Sequence, residues 1–148
     1  MRGWGGVRRD LGRYWPAGCA ALSGDVNHVR CTELFTALHL NNEALLVPAL
    51  VVTEVCYLLE REAGPRVEAA FLDSVAAGDF TVVDLEPGDY ARAGELVMTY
   101  ADLPLGAVDA SVIAIAERLG ITEVATLDRR HFTVVRPRGI GPLTLLPE

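Results

Sequence analysis

Three carboxylates stand where a folded chain has little reason to place charge. Glu54 lies in the apolar run around residues 47–59, and at helical spacing its neighbours are Leu50, Val51, Tyr57 and Leu58. An acid on an apolar stripe costs free energy unless it is paired or faces a cleft. A glutamate at the edge of the stripe, reaching water or an arginine, is the competing explanation. Asp109 sits in Leu103-Pro-Leu-Gly-Ala-Val-Asp-Ala-Ser-Val-Ile, just ahead of an apolar helix, where a plain helix N-cap would also explain it. Asp128 ends the strand-like run Glu123-Val-Ala-Thr-Leu-Asp. Carboxyl ends of strands are where open α/β sheets place their sites, although turn aspartates are common there too. Asp102, seven residues before Asp109, reads as a loop acid able to line a rim. Singly these signals are weak. Together they describe an oxygen-only ligand set, which favours Mg²⁺ or Mn²⁺. Metal–carboxylate clusters serve phosphodiester hydrolysis by activating water and neutralising charge on the phosphate.

Composition narrows the alternatives. The chain has 148 residues, 51% of them hydrophobic, which suits one folded domain with a sizeable core. Its longest apolar stretch, Ala44 to Val52, is short and contains Pro48, so no membrane-spanning helix is expected. A net charge of -7 disfavours nucleic-acid binding through a basic surface alone, but not a nuclease whose metal ions offset clustered acids. All thirteen basic residues are Arg. Without Lys there is no P-loop, Schiff-base lysine or Ser-Lys dyad. Cys19, Cys31 and Cys56 lack zinc-like spacing and are odd in number, which reads as reduced thiols in a cytoplasmic protein. His28, His39 and His131 are too dispersed for a metal site and read as surface or helix-end residues, with His131 near RNA if the chain is a ribonuclease.

The elements that must hold the acids alternate between helix and strand. Asp25 caps a helix running to Leu40, and a second helix starts at Pro48 and runs to Gly64. Pro65 opens a third, stopped by Gly78. Phe80 to Leu85 reads as a strand, Tyr90 to Tyr100 and Asp109 to Leu119 as helices, and Glu123 to Leu127 as a short buried strand. Val134-Val135 and Leu143 to Leu146 read as late strands. Helices between strands imply a parallel sheet covered on both faces.

Residues 1–23 do not match this pattern. They hold both tryptophans, five glycines and four Arg against one acid, Asp10, for a net charge of +3. A signal peptide would need an apolar core where Tyr14, Trp15 and Pro16 stand.

Four segments, in order, carry a family resemblance: Asp25-Val-Asn-His-Val-Arg-Cys-Thr-Glu-Leu, Val47-Pro-Ala-Leu-Val-Val-Thr-Glu-Val, Tyr100-Ala-Asp-Leu-Pro-Leu-Gly-Ala-Val-Asp-Ala-Ser-Val and Ala125-Thr-Leu-Asp-Arg-Arg-His-Phe. Over residues 24–148 the chain resembles the PIN-domain ribonucleases, and among them the VapC toxins of bacterial toxin–antitoxin pairs, mycobacterial members in particular. The resemblance implies an α/β, three-layer fold with a parallel central sheet and helices on both faces. It also implies a Mg²⁺- or Mn²⁺-dependent endoribonuclease, inhibited by a cognate VapB antitoxin, cytoplasmic and commonly dimeric. Glu54, Asp109 and Asp128 match three of the family's four site acids, with Asp109 a direct metal ligand and the other two completing the metal site or orienting water. Arg129 and Arg130 would contact RNA phosphates, although exposed arginines after a strand are more often plain surface.

The family's first strand, ending in the first metal-ligand Asp, has no counterpart in residues 1–23. Asp10 follows a poor strand, and Asp25 belongs to the next motif. The genetic code suggests why. With GC-rich codons, Arg13 to Leu22 read one base later can spell Asp-Thr-Gly-Pro-Leu-Val-Ala-Leu-Leu. The same frame upstream, from Arg8, can spell Val-Glu-Ile-Leu-Val. The expectation is therefore an atypical segment at residues 1–23, read out of frame, ahead of a PIN-like domain at 24–148. As it stands, such a chain lacks one strand and one ligand. The alternative function is then a degenerate, non-catalytic module that only binds antitoxin.

Overall fold

The computed structural model describes residues 46–125 and 129–146. The expected helix from Asp25 to Leu40, the atypical segment 1–23, and Asp128 lie outside the described residues. Strand β1 (Leu46–Pro48) leads into helix α1 (Ala49–Glu62) and then α2 (Pro65–Ala76). Strand β2 (Thr81–Val83), helices α3 (Pro87–Thr99) and α4 (Ala107–Leu119), strand β3 (Glu123–Ala125), helix α5 (Arg130–Val134) and strand β4 (Thr144–Leu146) follow.

Local chemistry sets the helix ends. Gly64 at φ 86° turns the chain between α1 and α2, and Pro65 supplies the first residue of α2. Asp89 Oδ2 accepts the backbone N–H of Glu86 at 2.9 Å, tying the first turn of α3. Gly120 closes α4 in the left-handed conformation (φ 68°), and the Ile121 N–H reaches back to the Ala116 carbonyl at 2.8 Å.

The described strands form two parallel pairs. In one, Val47 lies opposite Val82; in the other, Val124 lies opposite Leu145. Val51, Val55 and Leu59, four residues apart, turn one stripe of α1 into a core shared with Phe71, Phe80, Leu96, Ile113, Val124, Phe132 and Leu145. Helix α4 is buried on every side from Asp109 to Ala116, as expected of a helix apolar all round. Its last turn is clasped to α3 by two ion pairs. Arg92 donates Nε to Glu117 Oε2 at 2.8 Å and Nη2 to Oε1 at 3.0 Å, and Arg118 donates Nε to both oxygens of Asp89 at 3.0 Å. The hydrogen bonds to Glu117, with further help from Glu95, push the Arg92 guanidinium above its ordinary pKa despite partial burial.

Several element expectations are corrected. Pro48 ends a strand instead of opening the helix, and β1 itself is missed, because three apolar residues merge with the apolar pattern of α1. Helix α3 starts at Pro87, three residues before the expected Tyr90, since the Glu86–Asp89 contact is a helix start. Val134-Val135 is not a strand: Val134 ends the short helix α5. The Thr133 hydroxyl bonds back to the Arg129 carbonyl at 3.0 Å, and Arg136 Nη1 binds the Thr133 and Val134 carbonyls, so helix-type bonding outweighs the β-branched composition.

Candidate active site

Asp109 is the third residue of α4, and Gly106, in extended backbone, is the N-cap. The N-cap explanation for Asp109 therefore fails. Its side chain does not cap the helix; only 2% of the residue is exposed. A carboxylate buried so deeply needs compensation. The positive end of the α4 dipole supplies some of it. His131 supplies more: Nδ1 of its imidazole lies 2.7 Å from Asp109 Oδ2. With the carboxylate as acceptor, the imidazole is the donor, through Nδ1.

His131 is 7% exposed, which corrects the surface reading of this residue. It belongs to α5, where His131, Phe132 and Val135 are all buried on one side of a short turn. That i, i+1, i+4 spacing is legible in the sequence, but the adjacent arginines and threonine mask it. His131 also lines a cavity of about 420 Å³ together with Asp102, Leu103, Pro104 and Arg130. Arg130, which lines this cavity, and its neighbour Arg129 are both exposed.

Glu54 sits one residue before buried Val55 on α1, half-buried, with Oε2 inside the protein. Tyr57, one turn on, is 60% exposed, so Glu54 occupies the edge of the apolar stripe and not its centre. Helices α1 and α4, which carry Glu54 and Asp109, pack against each other. Asp128 lies outside the described residues. Among the described residues no three His, Cys, Asp or Glu side chains gather closely enough to hold a metal. Oxygen donors such as Glu54 and Asp109 suit a hard divalent cation. Cys56, also on α1, is no reactive thiolate: burial, and then the charge of Glu68, push its pKa up.

Known proteins share this fold and part of this sequence. The PIN domain family matches residues 19–136. Ribonuclease VapC26 of Mycobacterium tuberculosis (strain ATCC 25618 / H37Rv) is 34% identical over 105 residues, spanning 71% of this chain and 78% of that protein. The crystal structure of Mycobacterium tuberculosis VapC20, described as a sarcin–ricin loop cleaving toxin, superposes with a TM-score of 0.72 at 19% identity, over 82% of this chain and 90% of that one. No helix among the described residues is long and apolar enough to cross a membrane. The matched family, the extent of the VapC26 alignment and the shared α/β architecture together make this chain a member of the PIN-domain family, within its VapC ribonucleases.

Proposed function

We propose that the chain is a metal-dependent endoribonuclease toxin whose site is built from Glu54, Asp109 and Asp128. The observation that carries this reading is Asp109: a carboxylate buried at the start of a helix and held by an imidazole, in a chain related to ribonucleases. Asp109 and Glu54 would hold Mg²⁺ or Mn²⁺, and Asp128 joins them on the strength of its sequence motif. When bound, the metal would activate water and offset negative charge at the scissile phosphate. The protein's own part is to hold the acids on packed helices and to present Arg129 and Arg130 to RNA phosphates. The cavity beside His131 is large enough to receive part of a nucleotide.

A VapB-type antitoxin is the proposed protein partner, acting in the cytoplasm, with a second copy of the chain forming a homodimer. Exposed Tyr57 on α1 and Leu72 on α2 offer apolar surface for such contacts.

Replacing Asp109 by Asn tests the reading. RNA cleavage in Mg²⁺ should fall by about 10² or more, since a metal ligand supplies several kcal/mol. Antitoxin binding should survive. Unchanged cleavage in the variant would remove Asp109 from the site.

A second reading has its own support. Among the described residues the four strands make two separate parallel pairs. Residues 1–18 also fall outside the family match. We infer that residues 1–23 are an out-of-frame reading ahead of a domain at 24–148, and that the chain as it stands has impaired or no cleavage while keeping antitoxin binding.

A further inference from the structure

We propose that His131 is a positioning residue for Asp109, fixing the carboxylate through Nδ1 so that its other oxygen is the one offered to a divalent cation. The inference rests on the metal-site reading above and deepens it. The bond is 2.7 Å long, and the two side chains are 9% and 2% exposed, so water does not compete for it. It joins α5 to the first turn of α4, across 22 positions of sequence. It is separate from the helix-type bonding of α5 itself, in which the Thr133 and Val135 N–H groups reach the Arg129 and His131 carbonyls. With Oδ2 held by the imidazole, the orientation of the carboxylate is fixed, and Oδ1 is the oxygen assigned to the metal. Carboxylates that bind metals are commonly oriented by such hydrogen bonds, and losing the orienting group typically costs about 10–100-fold in metal affinity. His131 lines the cavity as well, so the residue that holds Asp109 is also one that a bound ligand would touch.

The test uses the full chain and measures Mn²⁺ binding by calorimetry or electron paramagnetic resonance. Asp109→Asn serves as the reference, and metal-free thermal unfolding is recorded beside each titration. His131→Ala should weaken Mn²⁺ binding by about 10–100-fold. His131→Asn places an amide N–H near the position of Nδ1 and should return affinity to within a few-fold of the parent. His131→Gln places its N–H near Nε2 instead and should not. A purely structural role would let affinity track thermal stability, whichever amide is present. Parent-like binding in His131→Ala overturns the inference. Should His131→Ala fail to fold, equal affinities in the Asn and Gln variants overturn it. Equal binding by the parent and Asp109→Asn overturns the metal-site reading itself, and this inference with it.

Discussion

At the scale of single residues, burial separates the acids. Asp109 is 2% exposed and hydrogen-bonded, whereas Glu54 is half-buried at the edge of its stripe. Both place a carboxylate oxygen on the protein's inner side, where charge is poorly screened by solvent. Glu54→Gln keeps the size of the side chain and removes only the charge. Cleavage should fall by about 10² or more if Glu54 holds the metal or its water. An initial-rate assay over a Mg²⁺ series checks this. A Gln variant that cleaves like the parent would make Glu54 a stripe-edge surface acid.

At the scale of elements, the α3–α4 clasp holds the last turn of α4 against α3. Asp89 accepts from Arg118 and from its own helix start, and is itself 3% exposed. Glu117 accepts from Arg92 and also from the Arg138 backbone N–H at 2.8 Å, which ties the loop before β4 to the same helix. Removing Asp89 from this part-buried network is costly because Arg118 loses its buried partner and keeps only the exposed Glu86. Asp89→Ala should therefore lower stability by about 2–4 kcal/mol, combining the lost pair with the lost helix-start bond. The expected fall in Tm is on the order of 10 °C, read by circular dichroism. A change within about 1 °C, the size of an ordinary surface substitution, would show that the clasp is mere surface contact.

At the scale of the whole molecule, the four described strands lie in two parallel pairs, β1 with β2 and β3 with β4. The small cluster of Leu46, Ala116 and Ile121 packs with Val83, Ile140 and Leu143, so side chains bridge the two pairs, which among the described residues share no backbone pairing. A central parallel strand would give both pairs backbone partners. Re-reading the DNA for residues 1–30 should reveal a frame encoding a strand that ends in Asp-Thr. A protein made in that frame should melt higher and cleave RNA faster than the chain as it stands. Confirmation of the present frame, together with full cleavage by this chain, would dispose of the frame-shift explanation.

What the sequence determined by itself was chemistry and periodicity. The absence of Lys excluded whole mechanisms, and the buried helices followed from apolar spacing that local geometry enforces. The third and fourth segments quoted for the family resemblance contain both Asp109 and His131, yet their spacing does not show that the two side chains meet. Tertiary structure decided that pairing, because α5 had to fold back onto α4 across 22 positions. It also decided the three-residue strand β1, which is too short to carry a period of its own. The helical state of residues 130–134 was likewise settled by carbonyl contacts from Thr133 and Arg136, which outweighed β-branched propensity. Local pattern reads which residues are apolar and which could do chemistry. Which of them touch depends on long-range packing that no single segment encodes.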